Sequence, residues 1–276
     1  GVQTCALPIS SDPKKTIKLR EATVNDALDF SSVDPNLEEL STTMFLNTIQ
    51  DKDTMIDSKT WTGEDRRYAL FRYFIETTRD KTIPLSYSCS ICGKDHTQEI
   101  PLLKILNTYK PMDGEPFREF VHEGHNIVVS PLTGADLEKI EAYNYDLMQD
   151  EETDTTNLSV EDRKALEKNL RFKRLRITLC TILACLDMPY LEPQGSKASR
   201  AEKVQETIVK MGVSEFKEFR NKVEKSLEEL QHGLQCSYFN GRLCLEIPDV
   251  KCDKYPEKEG ILLRYPFRFS AVIPVF

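Results

Sequence analysis

One order of elements occurs twice along the chain: a strand, a Thr-capped helix, further helices and a strand hairpin. This limits the fold to units that mix helices with small antiparallel sheets. Lys15 to Leu19 alternates polar and apolar residues, as a strand does. Thr23 follows where an N-cap is expected, and Asp26 at N3 favours the helix dipole. In the second half His125 to Val129 reads as a strand and Thr133-Gly134-Ala135-Asp136 as a cap. Ile17 and Thr23 are matched by Ile127 and Thr133 at the same offset of 110. A helix opening at Thr62-Gly63-Glu64-Asp65 feeds a hairpin from Thr82. A helix at 215–231, with Ser214 as its cap, feeds a hairpin from Leu234. The shared order with few identities reads as a divergent duplication.

The expected class is α+β, with helices packed on small antiparallel sheets in two related halves, 10–112 and 113–276. The second half carries a charged helical insertion at about 141–170 and a helix at about 160–186. Ser199-Arg200-Ala201-Glu202 reads as a capping box, and Gly212 as the residue that ends that helix. Asn240-Gly241 between two alternating runs predicts a type I′ hairpin, because both central residues need positive φ. Gln149 to Asn157 has no apolar residue and reads as a solvated acidic loop. The basic run Arg163, Lys164, Lys168, Arg171, Lys173, Arg174 and Arg176 reads as a solvated face paired with that loop, or as a surface for an acidic partner. The apolar segment from Ile261 to Phe276 contains Pro266 and Pro274, which confine it to a sheet edge or an extended arm. Arg264, Phe267, Arg268 and Phe269 are its candidate partner-binding residues.

Composition excludes several functions. The 276 residues contain no long apolar stretch that would span a membrane. Lys and Arg number 37 against 45 Asp and Glu, a net charge of −8, which counts against a protein that coats nucleic acid. No phosphate-loop, dinucleotide-binding or nucleophile-elbow motif is present. Neither a catalytic constellation nor a small-molecule substrate is therefore expected. Residues 1–9, Gly-Val-Gln-Thr-Cys-Ala-Leu-Pro-Ile, read as a translated sequencing adapter joined to a gene fragment. On that reading they stand outside the fold, the natural start is missing, and Cys5 drops out as a ligand.

Eight cysteines in a chain of this length suggest a reducing compartment rather than a disulfide scaffold. Cys89-Ser90-Ile91-Cys92-Gly93 lies between two strands, where two thiolates on a tight turn can hold one ion. Structural zinc needs four ligands, and only these two are local. His96, Cys236, Cys244 and Cys252 are the further candidates. A zinc knuckle, a ligand-free turn with free thiols and a redox pair all fit the spacing. Cys180 and Cys185 sit in an apolar helix as small core residues. His122-Glu123-Gly124-His125 is too short for a zinc-protease motif and reads as a turn.

The first half also resembles the baseplate hub subunits and hub assembly proteins of T-even-like contractile-tailed bacteriophages. Lys15 to Asp26, Thr62-Gly63-Glu64-Asp65-Arg66-Arg67, Ile83 to Gly93 and the return Glu99-Ile100-Pro101-Leu102 carry the resemblance. It implies a non-enzymatic protein that binds other tail hub proteins during virion morphogenesis. The implied location is the host bacterial cytoplasm during assembly, or the tail baseplate of the virion. An environmental origin, as the adapter-like start suggests, fits a phage source. A zinc-ribbon-like regulator that binds nucleic acid is the alternative.

Overall fold

The computed structural model describes residues 5–10 and 12–272. β1 (Cys5–Ile9) and β2 (Asp12–Leu19) form a hairpin, followed by α1 (Val24–Phe30), α2 (Glu38–Ile49) and α3 (Gly63–Thr77). α3 feeds the hairpin of β3 (Thr82–Ser88) and β4 (Asp95–Pro101), and the short α4 (Leu102–Leu106) follows. β5 (Arg118–His122) and β6 (His125–Val129) open the second half, and α5 (Gly134–Glu151) and α6 (Val160–Cys185) come next. β7 (Leu186–Asp187), α7 (Lys197–Val209) and α8 (Val213–Glu229) lead to β8 (Cys236–Phe239), β9 (Arg242–Val250) and β10 (Ile261–Tyr265). Eight helices and four antiparallel sheets of two or three strands, counted among the described residues, make the chain α+β.

Both halves run hairpin, capped helix, further helices, hairpin. Thr23 with Asp26 and Thr133 with Asp136 form reciprocal capping boxes at the starts of α1 and α5. Ile17 and Ile127 are each 1% exposed on the strands that precede them. Asn240 and Gly241 have φ of 50° and 74°, as a type I′ turn requires. Glu123 and Gly124, at 49° and 78°, make a second tight turn.

Several expectations are corrected. Cys5–Ile9 pairs with β2, and Leu7 and Ile9 are buried in the first core, so these residues do not stand outside the fold. The cap of α7 is Ser196, whose hydroxyl accepts the Ser199 amide. Gly212, at φ −63°, starts α8 instead of ending α7, and it displaces Ser214 from the cap position. The charged segment is helical, as expected: α5 and α6 run through it as an antiparallel pair. Lys173 of α6 bonds Asp146 and Asp150, and Arg174 bonds Glu151, so two members of the basic run pair with the acidic segment and the turn before it, and these carboxylates belong to α5 rather than to a loop. Pro274 and the Cys5 side chain lie outside the described residues.

Besides a core based in each half, the two halves share a third. It gathers Phe71, Ile83, Ile100 and Ile105 of the first half with Leu234, Leu245 and Ile247 of the second. Lys110 and Gly233 exchange backbone hydrogen bonds of 2.9 and 2.7 Å beside it. The C-terminal segment ties the halves further. β10 is an edge strand on β9, as its proline allowed, and the chain then crosses onto the first half. Its alternation points Arg264 and Arg268 outward and Phe267 and Phe269 inward. Phe267 meets Phe71 and Phe74 at centroid distances of 5.4 and 5.5 Å, and Phe269 meets Phe45 at 5.6 Å. These rings are committed to internal packing, which corrects their assignment to a partner. Arg264 donates to the Ser237 hydroxyl at 2.9 Å and lies over the Phe239 ring.

The starts of α3 and α5 are pressed together. Thr62 and Thr133 form an isolated antiparallel bridge. Gly63 N–H donates to the Leu132 carbonyl at 3.0 Å, and Gly134 N–H to the Trp61 carbonyl at 2.9 Å. The approach is so close that a Cβ on Gly63 would lie 2.7 Å from Leu137, and one on Gly134 2.3 Å from the Arg66 guanidinium. Arg66 is 1% exposed, lies against Gly134 and binds α2 and the turn at Ser58. It donates to the Thr43 hydroxyl (2.8 Å), the Ser58 carbonyl (3.0 Å) and the Glu39 carbonyl (2.7 Å) and carboxylate (3.1 Å).

α2 lacks a side-chain cap of its own, because its N-cap is Leu37. Glu141 of α5 supplies one: its carboxylate accepts the Glu39 amide at 2.8 Å. Burial pushes the Glu141 carboxyl up to about 7, although the Glu39 amide works against the shift. A pKa raised in the folded state means that its stabilising contribution is complete below the ordinary value of 4.5 and is lost as pH rises through about 7.

Two expected outcomes follow from these contacts. Gly134→Ala should destabilise the protein by about 1–3 kcal/mol in urea unfolding, because backbone and a hydrogen-bonded guanidinium meet the added methyl. Gly63→Ala should cost less, since a flexible leucine tip can move, and Gly212→Ala, in open space, should stay within about 0.5 kcal/mol of the parent. Glu141→Gln should flatten the fall in melting temperature between pH 4.5 and about 7. An unchanged slope there would show that this carboxyl does not titrate across the window.

Candidate metal centre

The β3–β4 hairpin places Cys89 directly after one strand and His96 within the other. Its register pairs Tyr87 with His96 and Ser88 with Asp95. Between them the chain turns tightly: the Cys89 amide donates to the Lys94 carbonyl at 2.9 Å, and the Gly93 amide to the Cys89 carbonyl at 2.8 Å. Gly93 sits at φ 69°, a left-handed conformation that glycine adopts without strain. Cys252 arrives from the other half, just beyond β9. Gln98 of β4 holds this loop by donating to the Lys251 carbonyl at 3.0 Å and to the Asp253 carboxylate at 2.7 Å.

The ligand atoms of Cys89, Cys92, His96 and Cys252 all lie within 4.8 Å of one another. His96 Nε2 stands 3.1 Å from the Cys92 sulfur and 3.8 Å from the Cys252 sulfur. Bonds of about 2.3 Å to sulfur and about 2.0 Å to nitrogen around a tetrahedral ion imply about 3.5 Å between such atoms. Three cysteines and one histidine thus form a donor set compatible with zinc. His96 Nδ1 faces the Asp253 carboxylate at 3.5 Å, which orients Nε2 toward the sulfurs.

The electrostatics suit thiolates. Burial raises the Cys89 thiol, but the Cys92 and Ile91 amides and the neighbouring sulfurs favour its anion more strongly, and it stands at about 7. The Lys94 amide steadies Cys92, yet burial and the Cys252 and Cys89 sulfurs carry that thiol upward. Crowded sulfurs that cannot all ionise together are what a cation would relieve. The Tyr87 hydroxyl is buried without a hydrogen-bond partner. Burial, then the charges of Cys89, Asp253, Cys252 and Cys92, raise its pKa.

Of the four further candidate ligands, His96 and Cys252 join the knuckle. Cys236 and Cys244 do not, which corrects their candidacy: their sulfurs bond the Leu234 and Arg242 carbonyls within the β8–β9 hairpin. The register pairs Cys236 with Leu245 and Cys244 with Ser237, so the two thiols lie on opposite faces of that hairpin. Cys185 is core, and burial pushes its thiol up to about 12. His122 bonds Glu215 at 3.1 Å and packs on Phe219.

A cavity of about 620 Å³ lies near the junction of the halves, with Glu39, Glu64, Arg67, Leu137, Leu230 and Cys236 in its lining. His232 borders it. Its Nδ1 donates to the Leu230 carbonyl at 2.8 Å, and its Nε2 meets the Thr62 hydroxyl at 2.7 Å. Both ring nitrogens are therefore engaged internally. Thr62 is itself buried and caps α3, so its hydroxyl serves the helix start.

No family model, curated protein or solved structure matches the chain. No helix among the described residues is long and apolar enough to cross a membrane.

Proposed function

We propose that the protein is a non-catalytic component of phage tail baseplate hub assembly that binds other hub proteins, and that structural zinc on Cys89, Cys92, His96 and Cys252 braces it. The observation that carries this reading is the closed donor set. Four protein ligands complete a tetrahedral ion and leave no position for water or substrate, which is the arrangement of a structural site. The ion would staple the first-half hairpin to the last sheet, where the halves already share a core. The hub assignment itself draws on the first-half motifs, including the Cys-x-x-Cys hairpin. Work in the host cytoplasm during assembly follows from that assignment.

The alternative, a regulator that binds nucleic acid through a zinc ribbon, uses the same cysteines. The pairing of Lys173 and Arg174 with α5 carboxylates and the net charge of −8 both weigh against it.

Protein purified without chelator should carry about one zinc per chain. Cys252→Ser should lose most of it together with the chelator-sensitive part of the melting temperature, while Cys180→Ser should keep both. A zinc content near zero in the parent would remove the brace. Co-expression with tail hub proteins encoded beside it should yield a complex that survives gel filtration. Duplex DNA binding that falls steeply with salt, with no such complex, would favour the regulator instead.

A further inference from the structure

α6 is 26 residues long, yet its buried residues, Ile182 and Cys185, lie in its last turn. Its inner face is set by the ion pairs of Lys173 and Arg174 with α5 and by Leu166, Leu170 and Ile177, all half-buried. At about 100° per residue, the opposite face carries Phe172 and Leu175. They are 63% and 57% exposed. Lys164, Lys168 and Arg171 flank them and are also exposed. α6 has no acidic residue after Glu167. Hence this face is an apolar pair one helical turn apart with a basic border; Glu161 and Glu167 lie within a turn of it, but among the described residues Lys164, Lys168 and Arg171 form no ion pair.

We infer that the outward face of α6 docks an acidic amphipathic helix of a partner protein. Charge complementarity selects that occupant. Phe172 and Leu175 have the i, i+3 spacing that enters the apolar stripe of a facing helix, and the three cations would meet carboxylates beside that stripe. A second copy of the chain is a poorer match through α5, whose carboxylates are already engaged: Asp146, Asp150 and Glu151 by α6, Glu138 by Lys59, and Glu141 by the start of α2. A polyanion such as DNA would satisfy the cations but not the exposed leucine. Such docking is one form of the protein binding proposed above and does not involve the metal.

The test uses the full chain and two dye-labelled designed peptides, a Leu/Glu-rich helix and a Leu/Lys-rich helix of equal length, read by fluorescence anisotropy. The Leu/Glu helix should bind saturably and the Leu/Lys helix should not. Phe172→Ser with Leu175→Ser, and separately Lys168→Glu with Arg171→Glu, should each weaken binding at least about tenfold. All four positions are exposed, and unchanged circular dichroism would confirm that both variants fold. Equal binding of the two peptides, no binding of either, or binding untouched by the substitutions would overturn the assignment. Self-association abolished by Phe172→Ser with Leu175→Ser would transfer the face to a second copy. Duplex DNA binding abolished by Lys168→Glu with Arg171→Glu would transfer it to nucleic acid. A failed hub co-expression with this result intact would dismiss the partner's identity and not the surface.

Discussion

The contact between Thr62-Gly63 and Thr133-Gly134 is the constraint on which the rest of the molecule depends. Two helices begin there, back to back, and each glycine leaves room for a side chain from the fourth position of the other helix. Leu137 fills one space and Arg66 the other. The arrangement is locally two-fold in its backbone and asymmetric in its chemistry. The apolar member is ordinary packing. The charged member is a buried guanidinium whose Nε has no hydrogen-bond partner, so its four donated bonds must hold it in place. Removing a partner from a buried charge of this kind typically costs about 3–5 kcal/mol. Arg66 thereby links α3 to α2 and to the turn at Ser58 by directional bonds that a leucine could not make.

Away from that contact the halves are joined by means that differ in kind. Glu141 caps α2 from α5, Phe267 and Phe269 pack on α3 and α2, and the Cys252 loop meets the Cys89 knuckle. The first responds to pH, the second is apolar burial and the third gathers thiols and an imidazole whose state depends on thiol chemistry.

The elements most legible in the sequence were those written in short-range code. Thr23 with Asp26, Thr133 with Asp136 and Asn240 with Gly241 have local physical signatures, and the structure reproduces each one. Ser199 and Gly212 were misread because Ser196 and Ser199 both look like caps, and because a glycine between helices can serve either neighbour. The knuckle was visible in Cys89 and Cys92. The other members of the cluster could be narrowed to His96 and three distant cysteines, but the choice of Cys252 depends on how the loop after β9 packs on β4, a long-range contact with no local signal. The contact of Gly63 with Gly134 was missed although both glycines follow a threonine at a helix start. Thr133 was matched with Thr23, and the Thr62 helix with the Ser214 helix, and neither match brings Thr62 and Thr133 together.

The placement of Cys252 also has a consequence for the order of events at the ribosome. His96 and the knuckle leave the exit tunnel well before their last partner, which is 156 residues further along the chain. At translation rates of about 5–20 residues per second this interval is on the order of ten to thirty seconds. Phe71 and Ile105 wait as long for the strands that cover them. A nascent chain of this design carries exposed thiols and an uncovered apolar ridge until Cys252 and the covering strands emerge, and chaperones and oxidants have most access to it in that interval.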